Sequence, residues 1–196
     1  MTTDFNSEKI IRALRRQASH LIDQGLFEEA ISQLNRCLSL EDEPEARADI
    51  FCELGFCFLR MGWYEDGMRI FSQRLETSPF DNDARFYLAN AYNSMGWINE
   101  SIAEFKKILA SDPTDVLSYH GLSLCYKDKG WLRESLEIMR AAKEQAAVHG
   151  NQDEKEIVEQ SLANLEKEIE EGEEDKFKKG LLLAILLAAL KKRKKP

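Results

Sequence analysis

Between residues 11 and 149, apolar positions recur every three to four residues, and a lone glycine interrupts the pattern at regular intervals. Aligned on Gly25, Gly62, Gly96 and Gly130, the chain divides into units 11–47, 48–81, 82–115 and 116–149. The last three glycines stand 34 residues apart; the first lies 37 before Gly62, with the extra residues near Glu41-Asp42-Glu43-Pro44. Column four of the units holds Leu14, Phe51, Arg85 and Tyr119, and column eleven Leu21, Phe58, Tyr92 and Tyr126. Column seven reads Gln17, Leu54, Leu88, Leu122. Beyond the glycine, column twenty is small throughout (Ala30, Gly67, Ser101, Ser135), and column twenty-four reads Leu34, Phe71, Phe105, Met139. Steps of four, three and four mark one side of a helix, so each unit predicts helix, turn, helix. Glycine suits the left-handed residue that closes the first helix. Asp81 and Asp115 are placed to cap the next one. The small column lets the paired helices approach, and because no unit buries its apolar side alone, the units must stack.

The third unit, DARFYLANAYNSMGWINESIAEFKKILASDPTD, has Leu-small-x-x-Tyr in its first helix and Gly at the turn. A small residue and Phe follow in its second helix, with Pro near the end. These residues resemble the tetratricopeptide repeat (TPR) family, and the resemblance extends over residues 11–149. It implies an all-α fold, a TPR-type α-solenoid of four helix-turn-helix units in an array over 1–149. An acidic capping helix (150–175) and an apolar, basic C-terminal tail (176–196) would follow. Val158, Leu162, Leu165 and Ile169 form the stripe that would seat the capping helix on the last unit. The family's first-helix Trp is replaced in every unit, by Arg85 in the best one. The terminal proline is missing from the first and fourth units, so the fourth unit's second helix is expected to run to about Gly150.

All three tryptophans, Trp63, Trp97 and Trp131, directly follow a turn glycine, in column sixteen. Two roles are open to them: partial packing against the adjacent unit's turn, or a contact ridge for a partner or for lipid headgroups.

Charge divides the chain sharply. Residues 176–196 hold eight Lys or Arg and no acid, while the first 175 hold 19 basic and 35 acidic residues. An acidic body argues against nucleic acid as its partner. The four cysteines form no CxxC pair, and MTTDFNSEK has no apolar run of a signal peptide, so a reducing cytoplasmic setting is expected. The three histidines (His20, His120, His149) have no nucleophile or carboxylate at a recurring catalytic spacing. Cys52 and Cys57 diverge by about 140° around a helix, a poor metal pair. The reading is therefore no enzyme, no cofactor and no metal.

In TPR proteins, ligands usually meet the concave face at set first-helix columns, and the resemblance carries that expectation to this chain. The candidate groove residues are Arg12, Arg15, Ser19, Phe56, Arg60, Phe86, Asn90, Asn93, His120 and Lys127. Phe56 and Phe86 would anchor partner side chains, and the asparagines and arginines would bind a peptide backbone or carboxylate. The Lys/Asn clamp of the chaperone-tail-binding TPRs is not reproduced at Arg15, Cys52 and Phe86.

The tail KFKKGLLLAILLAALKKRKKP offers 14 largely apolar residues, about 21 Å of helix against the roughly 30 Å of a bilayer core. Three hosts are open: an anionic membrane surface met by the basic flanks, a homo-oligomer through the small stripe Gly180, Ala184 and Ala188, or docking on a TPR groove. The expected function is a protein-interaction adaptor holding a partner peptide or protein, peripheral to the inner face of a membrane if the tail binds lipid. The alternative is a small TPR-type secretion or assembly chaperone shielding an apolar client segment.

Overall fold

A computed structural model describes residues 5–193, with side chains over 7–182. Among them are nine helices and no strand: α1 (Phe5–Asp23), α2 (Phe27–Leu40), α3 (Pro44–Arg60), α4 (Tyr64–Thr77), α5 (Asn82–Ser94), α6 (Ile98–Ser111), α7 (Val116–Asp128), α8 (Leu132–Val148) and α9 (Gln152–Arg193). They fall into two compact units, one ending at Pro113 and holding α1–α6, the other starting at Thr114 and holding α7–α9. The expected pairs α1/α2, α3/α4, α5/α6 and α7/α8 are all present.

Each pair turns in the same way. Gly25, Gly62, Gly96 and Gly130 have φ of 74, 81, 77 and 75°. At the second turn the Gly62 N–H donates to the Leu59 carbonyl (3.1 Å) and the Trp63 N–H to the Phe58 carbonyl (2.8 Å). This nested pair satisfies carbonyls that the ending helix would leave bare. The other turns repeat it, with Leu26 and Leu21 standing for the Trp and its aromatic in the first unit. A Cβ on Gly62 would meet nothing within 4 Å, so the glycine is needed for its φ alone.

Gly67 is small for another reason. A Cβ there would run into Leu59 and stand 3.3 Å from the Gly55 carbonyl, so α3 and α4 meet where neither has a side chain. In the last pair the same place is taken by Ser123 and Ser135, both buried, with hydroxyls 2.8 Å apart. Asp81 and Asp115 cap α5 and α7, accepting from the Ala84 and Ser118 N–H groups at 2.9 and 3.1 Å. Burial alone would raise the Asp81 carboxyl, but the Ala84 N–H and Arg74 hold it below its ordinary value.

Arg85, where the family carries an aromatic, is largely covered. Its guanidinium donates to Glu104 (2.6 Å) and to the Pro79 carbonyl (2.5 Å), so a bonded charge fills the site. Cys37, Cys57 and Cys125 are fully buried among apolar neighbours. Burial pushes the Cys52 and Cys57 thiols up to about 11, which keeps them protonated at neutral pH.

α9 begins with a reciprocal cap. The Asn151 side chain accepts from the Glu154 N–H (2.9 Å), and the Glu154 carboxylate accepts from the Asn151 N–H (2.8 Å). Val158, Leu162 and Leu165 then pack on Met139, Ala142 and Ala146, with Ile169 at the edge. The helix does not stop where the composition changes at 175/176. Lys178–Glu174 (3.0 Å) and Lys179–Asp175 (2.6 Å) bridge that junction one turn apart, joining capping segment and tail in one helix. From Glu170 to Leu182 every residue is exposed. Gly180 lies in this stretch; Ala184 and Ala188 lie outside the described side chains. No helix among the described residues is long and apolar enough to cross a membrane.

Candidate partner-binding surface

In the unit of α1–α6, a cleft of about 280 Å³ opens between α3 and α5. Its apolar lining comes from Phe56, Leu59, Phe86 and Tyr87, and its polar groups from Arg60, Tyr64, Asn90 and Ser94. The rings brace one another. Phe56 meets Phe27 and Tyr87 edge-on, with centroids 6.5 and 5.6 Å apart. Phe86 meets Tyr87 (5.9 Å) and Phe105 (5.8 Å) in the same manner, and Tyr87 stacks on the buried Phe71 at 5.1 Å. Edge-to-face contacts at these spacings are favourable beyond the area they bury. Phe56 and Phe86 were expected to be anchors for a partner's side chains, although the repeat's own core does not require them. They are half-buried members of a ring network, each presenting its remaining surface to the cleft.

Arg60 is exposed, with its guanidinium 5.5 Å from the Phe27 centroid and 5.9 Å from that of Phe56. The Asn90 amide donates to the Phe86 carbonyl one turn back, at 2.9 Å, and Asn93 is half buried. The structure therefore brings Phe56, Arg60, Phe86 and Asn90 to one place. Arg12 and Arg15 border a separate hollow with Ile11 and Glu41, and Arg15 is tied to Glu53. Ser19 is exposed and lines neither.

In the unit of α7–α9, the two candidate groove residues of α7 meet α9. His120 lies 3.0 Å from the Ser161 hydroxyl, and Lys127 pairs with Glu168 at 2.7 Å. Burial lowers the His120 pKa below its ordinary value, favouring the neutral ring. No cluster of three or more His, Cys, Asp or Glu among the described residues is arranged to hold a metal.

The tryptophans take a third arrangement. Trp63 stacks on Phe58 (5.6 Å) and Trp97 on Tyr92 (5.8 Å), and Trp131 lies tilted against Tyr126 (5.8 Å), each on column eleven of its own unit. The Lys129 ammonium sits 4.0 Å from the centroid of Trp131. The contact joins the same two residues whose backbones bond across the turn, so each indole clamps its own helix end. The three remain 51, 48 and 45% exposed.

Sequence columns alone missed Tyr87 and Tyr64 as cleft residues. The adjacent pair Phe86-Tyr87 was the available signal, since neighbours on a helix point about 100° apart and one of two large rings must leave the core.

Repeated helix pairs with identical turns, small crossing residues and a capping helix define an α-helical repeat protein. Residues 83–115 match the family model for the tetratricopeptide repeat. The fold is that of TPR proteins. The chain is similar to MamA from Desulfovibrio magneticus RS-1, at TM-score 0.60 and 16% identity over 81% of this chain and 94% of that one. It is similar to YrrB, described as a TPR protein with an unusual peptide-binding site, at TM-score 0.58 and 18% identity over 71 and 70%. It is also similar to the type III secretion translocator chaperone SycD of Yersinia enterocolitica, at TM-score 0.58 and 19% identity over 72 and 94%. No curated protein matches the sequence.

Proposed function

We propose that this protein is a non-enzymatic interaction adaptor that holds a partner peptide or protein against α3 and α5. The observation that carries this reading is the braced aromatic cleft. Its rings are fixed by one another before any ligand arrives, so binding costs little side-chain ordering. Peptide binding in YrrB, a protein of the same fold, agrees with such a role. The chaperone alternative is favoured by one feature, the likeness to SycD, and would use the same cleft to shield an apolar client segment. A cytoplasmic setting is part of this proposal. Its apolar, basic tail is proposed to rest on an anionic membrane surface or to join a second copy.

A random hexapeptide library displayed on phage and selected against the full chain tests the reading. Selected ligands are expected to shift nuclear resonances of Phe56 and Phe86, and Phe86→Ala to abolish their binding. Ligands that map only elsewhere would reject it. For the tail, vesicles containing phosphatidylserine should co-sediment with the full chain, and replacement of Leu183, Leu186 and Leu187 by Ser should release it. Equal sedimentation of both would reject membrane association.

A further inference from the structure

We infer that the α3–α5 cleft is a two-part subsite for one partner segment that presents a large apolar side chain beside a carboxylate. The apolar group packs on Phe56, Phe86 and Tyr87, and the carboxylate bonds to Arg60. The inference rests on the adaptor reading and adds the chemistry of the ligand.

The charge of the lining comes first. The chain carries a net charge of −8, yet the cleft has a single charged lining residue, Arg60, and no acidic one. Other half-buried arginines are already bonded: Arg15 has Glu53, Arg74 has Asp81 and Asp49, Arg85 has Glu104, and Arg47 has the Leu38 and Glu41 carbonyls. At the cleft, the complementary charge is left for the ligand to bring.

The placement of that cation comes second. Lying over Phe27 and Phe56 at 5.5 and 5.9 Å, the guanidinium is held in orientation by two ring faces. A planar fork held in this way offers paired N–H donors to a carboxylate, at a smaller entropy cost than a free Lys or Arg would carry. Phe56 is at once a wall for the apolar group and a support for the cation, so the two halves of the subsite are adjacent.

Size comes third. About 280 Å³ lies just under the roughly 300–1,000 Å³ of sites that enclose a drug-sized ligand. It suits one aromatic or branched aliphatic side chain and an adjacent acid. Asn90, Tyr64 and Ser94 supply hydrogen-bonding groups for the intervening backbone. The protein's own tail does not meet the requirement: residues 176–196 hold eight basic residues and no acid, and would bring cations to Arg60.

The selected hexapeptides decide the matter in the full chain. They should share an aromatic or branched aliphatic residue with Asp or Glu within two positions. Changing that acid to its amide should weaken binding to wild type about tenfold, the size of one exposed charge-assisted contact. Against Arg60→Met, which keeps an apolar stem over the rings, acid and amide peptides should bind alike. The wild-type preference should also shrink as salt rises. Peptides that shift Phe56 and Phe86 but bind equally as acid or amide would overturn the inference and leave the adaptor reading standing. Selected peptides that map away from α3 and α5 would overturn both.

Discussion

Arg60 at the end of α3 and Lys127 at the end of α7 occupy neighbouring columns of the same repeat, but their surroundings differ. Arg60 lies over two phenyl rings beside an open cleft, whereas Lys127 is closed off by Glu168 and His120 by Ser161. The cause is α9. Its apolar stripe on α8 brings Ser161 and Glu168 to α7, so the last first-helix is covered by the cap. A repeat column thus defines a position on a helix, and what stacks beside that helix defines whether the position is a site.

The strongest way to break this difference is Val158→Asp. Val158 is 1% exposed against Met139 and Ala142, and an unpaired buried carboxylate there should cost about 3–5 kcal/mol and lift α9. Hydrogen exchange should then rise across α7–α9 while α1–α6 keep their protection. Unchanged protection on α7 would show that α9 is not what closes it.

Smaller effects, equal in both units, should follow Gly62→Ala and Gly130→Ala, at about 1–2 kcal/mol each. Neither Cβ would meet an atom within 4 Å, so the cost is conformational and independent of what stacks nearby. Denaturant midpoints that differ widely between the two would contradict a local origin. Trp97→Ala should cost about 1 kcal/mol through its lost contact with Tyr92, and Trp97→Leu less, because Leu26 already holds the equivalent position in the first turn.

The smallest effects belong to the polar contacts of α9. Lys127→Met should change stability by less than about 0.5 kcal/mol, since both partners of the Glu168 pair are partly exposed. His120 adds a pH dependence of definite sign. Its folded pKa lies below the ordinary 6.5, so on acidification the unfolded chain takes up the proton first. Stability is therefore full above pH 6.5 and falls as the pH drops from there through the folded value. His120→Gln should flatten that part of the stability–pH curve. An unaltered curve would show that His120 is not its source.

Much of the fold was legible from short-range pattern. Four glycines at near-equal spacing located four turns, Asp81 and Asp115 located two helix starts, and the stripe from Val158 to Ile169 located the cap. Each depends on residues within one or two helical turns. Other features were not legible. Arg85 departs from the family's aromatic, and its fitness for the site rests on Glu104, 19 residues away. The continuity of α9 through 175/176 depends on i, i+4 pairs that bridge an acidic and a basic block which by composition look like separate segments. The tryptophans were read as packing on a neighbouring unit's turn or as a contact ridge, and their exposed halves leave the ridge open. Their packing on their own helix ends follows from the left-handed glycine, which turns the next residue back over column eleven.

The candidate site was legible only in outline. Phe56, Arg60, Phe86 and Asn90 were assembled as expected from their columns, but Arg12, Arg15 and Ser19 were not, and His120 and Lys127 lie against the cap. By itself the sequence determined the helix pairs, their turns and their apolar faces, because hydrogen bonds and side-chain periods within a helix act over three to five residues. Only the tertiary structure decided which cations remain available, because Arg15 finds Glu53 at 38 residues' distance and Lys127 finds Glu168 at 41. Such pairs exist only once stacked helices bring distant residues within hydrogen-bonding range, and stacking left Arg60 with aromatic faces beneath it and no acid in the cleft beside it.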